Sequence, residues 1–141
     1  MLASKSDLEE LNYDEWLFDL KSQIISPERN VYKLVIKGNI EIIQGMISIS
    51  DRADHIYVNL IESANFNKGK NKIYYGVPGN LFAFTCKISL DSGYDGFVAF
   101  DAKTKLIKHY QDTLFASHFN GTRMFIESEA TTKLVNQYFN R

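Results

Sequence analysis

Hydrophobic and polar positions along the chain change period several times. Residues 6–26, SDLEELNYDEWLFDLKSQIIS, set Trp16, Leu17, Leu20 and Ile24 on one helical face. Ser6 with Glu9 fits a capping box, and Pro27 ends the segment. Next, VYKLVIKGNIEIIQGMISIS is β-rich on both sides of Lys37-Gly38-Asn39, where Gly-Asn suits a two-residue hairpin turn. DRAD, Asp51 to Asp54, reads as another turn and HIYVNLIES as a third strand. A helical segment over 1–27 and an antiparallel meander over 31–63 are therefore predicted.

Beyond the polar, basic loop ANFNKGKNK the period changes. GNLFAFTCKISLDSG reads as a helix ending near Gly93, apolar around most of its circumference and so covered on more than one side. GFVAF, Gly96 to Phe100, is a short continuous apolar run, the pattern of a strand buried on both faces. KTKLIKHYQDTLFA places Leu106, Ile107, Tyr110 and Leu114 at helical spacing. SHF, the turn NGT and RMFIE predict two closing strands. A last helix over 128–141 follows, with Ser128 as its cap and Leu134, Val135, Tyr138 and Phe139 turned inward.

A strand–helix–strand crossover is right-handed and joins parallel strands. The third strand and GFVAF are thus expected to be parallel neighbours in an otherwise mostly antiparallel sheet. The fold class is α/β, in the α+β layered sense, with helices flanking a mixed sheet. The length of 141 residues with 45% hydrophobic content suits a single domain, 1–141, with a core of its own.

Charge and cysteine content narrow the classes of partner. A formal charge of −1 gives no overall field for nucleic acid or an anionic membrane, so neither is expected. The single cysteine, Cys86, sits in an apolar run and reads as a buried thiol suited to a reducing cytosol. No apolar run approaches the ~20 residues that span a bilayer. A cytoplasmic protein is expected, and its aromatic content is compatible with a homodimer. His55, His109 and His118 have no acidic or thiol partner at ligand spacing, so no metal site is read. Ser63, in IESAN, lacks the nucleophile elbow of a serine hydrolase.

The stretch YYGVPGNLFAFTCKISL sets a Gly-Val-Pro-Gly turn directly against a buried helix. The first N–H groups of a helix have no internal partner, and with the helix dipole they favour phosphate oxygens. Gly76 and Gly79 let backbone approach a ligand closely. Lys68, Lys70 and Lys72 stand upstream, where they add positive charge. Ligands of such sheets sit beyond the carboxyl ends of parallel strands, here at Glu62-Ser63.

The order of antiparallel strands, glycine turn, helix, buried parallel strand and a helix carrying Tyr110 resembles the GNAT superfamily of acyl-CoA-dependent N-acyltransferases. The resemblance covers roughly Val31 to Glu127, and the chain looks in particular like small bacterial GNAT-like proteins over NLIESANFNKGKNKIYYGVPGNLFAFTCKISLDSGYDGFVAFDAKTKLIKHY. It implies a GNAT-like sheet with a splayed parallel pair, an acyl-CoA-binding half over 74–127 and acetyl-CoA or another acyl-CoA as cosubstrate. By the resemblance, the diphosphate would rest on Tyr75, Gly76, Val77, Pro78, Gly79, Asn80 and Leu81. The pantetheine arm would pair with main chain over Leu60, Ile61, Glu62 and Ser63, and Tyr110 would give a proton to the departing thiolate. Two departures stand out. Tyr74 and Val77 occupy positions where the family's turn has Gln or Arg and Gly, and Phe115-Ala116 replaces the Gly-aromatic pair after the tyrosine.

Direct acyl transfer needs a polarised thioester carbonyl, a neutral amine and a proton for the leaving sulfur. Backbone N–H near Ile61 or Glu62 is the candidate for the first. Glu62 is the candidate acceptor of the amine's proton, and Tyr110 the candidate acid. The acceptor would be a small-molecule or protein amine. Two further readings are a non-catalytic CoA-binding or partner-binding module and a toxin-like aminoacyl-tRNA acetyltransferase.

Overall fold

The computed structural model describes residues 27–35, 38, 42–64 and 76–139. The helix expected over 6–26, Lys37, Asn39, the three upstream lysines, Tyr74 and Tyr75 lie outside the described residues.

The elements in chain order are β1 (Asn30–Leu34), β2 (Gly45–Asp51), β3 (Ile56–Ser63), α1 (Val77–Asp91) and β4 (Val98–Asp101). A 3-10 turn (Thr104–Leu106), α2 (Ile107–Leu114), β5 (Ser117–Asn120), β6 (Arg123–Ile126) and α3 (Ser128–Phe139) follow. The strands form one sheet in the order β1-β2-β3-β4-β6-β5. It is mixed and mostly antiparallel, with β3 and β4 as the parallel pair.

The chain divides into two compact units. The first comprises Met1–Ser50 and Asn59–Leu81. There β1 and β2 pair from Asn30↔Ile49 to Leu34↔Gly45, and Gln44 N–H extends the ladder by donating to the Leu34 carbonyl at 2.8 Å. The described ladder therefore stops short of the Lys37–Asn39 turn, although Gly38 has the left-handed φ of 87° that such a turn requires. From Gly45 to Ser50 every residue of β2 is buried, including Ser48 and Ser50. The Asn59 amide satisfies these two hydroxyls, at 3.4 Å and 2.9 Å, so polar side chains are accommodated in a strand covered on both faces.

The second unit comprises Asp51–Val58 and Phe82–Arg141. Its first turn is DRAD: Arg52 N–H donates to the His55 carbonyl, and Ala53, at φ 71°, is fixed by its N–H bond to Asp51 Oδ1. Val98 and Phe100 of β4, with Met124 and Ile126 of β6, form the buried face. Alternation sends Phe97 and Ala99 the other way, and Phe97 is exposed. The GFVAF run is thus buried fully on one face only, contrary to the sequence expectation. Phe82 packs on Phe100 with centroids 4.9 Å apart; at 1% exposure, this ring contributes about 2 kcal/mol through burial.

Two expectations for α3 are corrected. Ser128 is its first helical residue rather than its cap, because the Glu127 carbonyl already accepts from Thr131 N–H and the Ser128 hydroxyl donates to the Asp95 carbonyl. Phe139 is exposed, its ring covered by the Lys87 ammonium at 5.5 Å; the buried positions are Ala130, Thr131 and Leu134.

Candidate functional site

The predicted ligand-binding residues of the first unit converge on the opening of α1. Gly76 is left-handed, at φ 79°, and its carbonyl accepts the first helical hydrogen bond from Asn80 N–H at 2.9 Å. Gly76 is therefore the N-cap, and Val77, Pro78 and Gly79 form the first turn. Pro78 has no N–H to lose and its fixed φ suits this turn. Gly76 and Pro78 are exposed, Gly79 and Asn80 are half-buried, and Val77 and Leu81 are anchored in the core. No acidic side chain stands in the first turn, so nothing on the helix itself offsets the positive end of its dipole. The left-handed residue is Gly76, while Val77, which the sequence pattern set at the family's middle glycine, is already helical and only 3% exposed.

The end of β3 belongs to the same unit. Leu60, Ile61 and Ser63 are half-buried and Glu62 is buried. Ala64 N–H donates to the Gln44 carbonyl at 3.0 Å, tying the strand's end to the residue before Gly45. Gly45 itself stands where a Cβ would lie 2.6 Å from Val77 Cγ1, 3.1 Å from the Glu62 carbonyl oxygen and 3.2 Å from Leu81 Cδ1. Sequence reasoning did not single out Gly45, which lies within the second β-rich run.

In the second unit, β3 and β4 pair in parallel only at Ile56↔Val98 and Tyr57↔Ala99. The parallel ladder ends there, before Val58 and Phe100. Tyr110, on α2, is half-buried. Its ring centroid lies 5.4 Å from that of Phe100, 5.9 Å from that of Phe82 and 5.5 Å from that of His109. Burial raises its phenol above the ordinary value near 10, so the proton stays on at neutral pH. After Tyr110, α2 ends at Phe115 in the left-handed conformation, φ 57°, a position that glycine usually fills.

The remaining chemical groups fall outside this set. Cys86 is fully buried, and desolvation pushes its thiol up to about 11, as the buried-thiol reading requires. His55 Nδ1 meets Asp54 at 2.6 Å and His118 Nε2 meets the Gly121 carbonyl at 2.8 Å. Among the described residues no three His, Cys, Asp or Glu side chains could hold a metal ion, and no helix is long and apolar enough to cross a membrane. A groove of about 510 Å3 on the outward face of β4 and β6 is lined by Phe97, Phe119, Phe125 and Arg123, with His55 and Glu127 at its rim. None of the predicted site residues among the described ones lines it.

Comparison with known structures identifies this architecture. The chain has the fold of the GNAT acetyltransferases. It superposes on the KacTA–DNA complex with a TM-score of 0.59, at 13% identity over 95% of this chain and 87% of that one. Tetrahymena GCN5 matches with a TM-score of 0.57, at 9% identity over 85% of this chain and 78% of that one. A tyrosine-to-phenylalanine mutant of the AtaT toxin, bound to the C-terminus of the antitoxin AtaR, matches with a TM-score of 0.56, at 14% identity over 84% and 78%. No protein-family model and no curated protein sequence matches the chain.

Proposed function

We propose that the protein is an acyl-CoA-dependent N-acyltransferase, working as a single domain and using acetyl-CoA or a related thioester. The observation that carries this reading is the parallel pair β3–β4, whose ladder ends after two residue pairs, in a sheet whose next helix opens on a left-handed glycine. Main-chain groups of β3 beyond the last β4 pair suit the amide-rich pantetheine arm. The N–H groups of Val77 and Gly79, which have no partner within the helix, suit a diphosphate, and the turn carries no acidic side chain to repel it.

In the proposed reaction a neutral amine attacks the thioester carbonyl carbon. The C–N bond forms, the C–S bond breaks, Glu62 accepts the proton from nitrogen and Tyr110 supplies one to the thiolate. Tyr110 suits the second role: it keeps its proton at neutral pH, its ring is fixed by Phe82 and Phe100, and its hydroxyl has no hydrogen bond to a described residue. Release of CoA thiol in the presence of acetyl-CoA and a panel of amines, with product masses, tests the reading. Amine-dependent thiol release with a matching acetylated product supports it; thiol release with no amine dependence points to hydrolysis and counts against it.

The likeness to the AtaT toxin favours one second reading, a toxin-like member that acylates aminoacyl-tRNA and has a protein or nucleic-acid partner. Growth arrest on expression, relieved by Tyr110→Phe, would support it. Arrest of equal strength with the variant would count against it.

A further inference from the structure

We infer that Gly45 is a positioning residue for the acyl donor: its missing side chain sets where the helix-opening turn stands, and with it the seat for the diphosphate. The inference rests on the acyl-CoA reading above. Three elements of the first unit meet at this residue, namely the start of β2, the end of β3 at Glu62 and the first turn of α1 at Val77 and Leu81. Gly45 does not have a left-handed φ, so its backbone conformation is open to any residue. Space alone demands glycine. A Cβ at 2.6 Å from Val77 Cγ1 is closer than carbon atoms pack, and 3.1 Å to the Glu62 carbonyl leaves little slack on the other side.

The direction of the resulting shift can also be argued. The residue before Gly45 is held twice, by Gln44 N–H to the Leu34 carbonyl and by the Gln44 carbonyl to Ala64 N–H. β2 therefore resists moving away from the intruding methyl. Val77 is β-branched and 3% exposed, so it cannot rotate its methyls aside. The displacement falls on the first turn of α1, whose opening N–H groups have no partner within the helix. A shift of this size leaves the fold in place and misaligns donors that must meet phosphate oxygens at hydrogen-bond distance.

The test compares two donors, acetyl-CoA and S-acetylpantetheine, the second lacking the diphosphate and nucleotide. In Gly45→Ala, kcat/KM for acetyl-CoA is expected to fall about tenfold or more, chiefly through KM, and that for S-acetylpantetheine to stay within about twofold. Adding Val77→Ala, which removes the colliding methyls, is expected to recover most of the loss relative to Val77→Ala alone. If Gly45→Ala does not fold, the comparison of the double variant with Val77→Ala carries the test. Unchanged acetyl-CoA kinetics, an equal loss with both donors, or no recovery in the double variant would each overturn the role of Gly45. A wild-type protein that fails to bind CoA overturns the acyl-CoA reading itself, and this inference with it.

Discussion

Tyr110 stands edge-on to Phe100, with ring centroids 5.4 Å apart and planes at 83°. The packing needs the ring and makes no use of the hydroxyl. Tyr110→Phe should therefore fold with the melting temperature of wild type, and bind CoA as wild type does, while kcat falls about 100-fold. As the proposed acid, Tyr110 must be protonated, and burial raises its pKa, so wild-type activity should persist on the alkaline side until pH rises through that raised value. Stopped-flow or steady-state thiol release across pH 6–11 measures both. Equal kcat in the variant would assign Tyr110 to packing alone.

Asp101 accepts from the Tyr57 hydroxyl at 2.5 Å and from Arg123 Nε at 3.2 Å, and these bonds hold its carboxyl below the ordinary carboxylate value. The folded chain thus binds fewer protons at this site than the unfolded chain does. The stabilisation is complete above the unfolded pKa, about 3.9, and is lost as pH falls through the lowered folded value. Thermal melts from pH 2 to 6 should show a shallower acid decline for Asp101→Asn than for wild type. Parallel curves would contradict this.

Gly96 combines a left-handed φ of 78° with a site where a Cβ would lie 2.5 Å from Thr131 Cγ2. Thr131 cannot yield, since it is fully buried and its hydroxyl donates to the Gly96 carbonyl at 2.6 Å. Gly96→Ala should cost on the order of 3 kcal/mol in urea denaturation, from overpacking and backbone strain together. A loss below about 1 kcal/mol would show that the α3 contact is softer than the geometry implies.

Phe115 closes α2 in a left-handed conformation that costs a non-glycine residue about 1 kcal/mol. Its ring, 40% exposed, faces the Lys133 ammonium at 5.2 Å, a contact worth about 0.5 kcal/mol at such a site. Phe115→Gly should therefore melt at or above the wild-type temperature. A clear drop would mean that the ring contributes more than its exposed position indicates.

The succession of β3, α1, β4 and α2 was legible in the sequence because each segment carries its own period and its own breakers, such as the Gly-Val-Pro-Gly turn and Gly93. Tyr110 was legible as a candidate through the family resemblance; its phenylalanine shell was not, because Phe82 and Phe100 lie on two other elements. Gly45 escaped for a similar reason. The contact that demands glycine comes from Val77, 32 residues away (77 − 45), and leaves no mark on local spacing. Phe139 was misplaced because helical periodicity gives a face but not its end, and Lys87 covers that ring where a core was expected. Ser128 looked like a cap by residue type, yet its hydroxyl is taken by the Asp95 carbonyl, 33 positions back.

Calorimetric titration of the wild-type protein with CoA, set beside the same titration with pantetheine, bears most directly on the proposed diphosphate seat at Gly76–Gly79. Expected is saturable one-to-one binding of CoA, with pantetheine at least about tenfold weaker because it brings no phosphate to the opening N–H groups of α1. Absence of CoA binding at millimolar concentration, or equal affinity for the two compounds, would contradict the assignment of that turn.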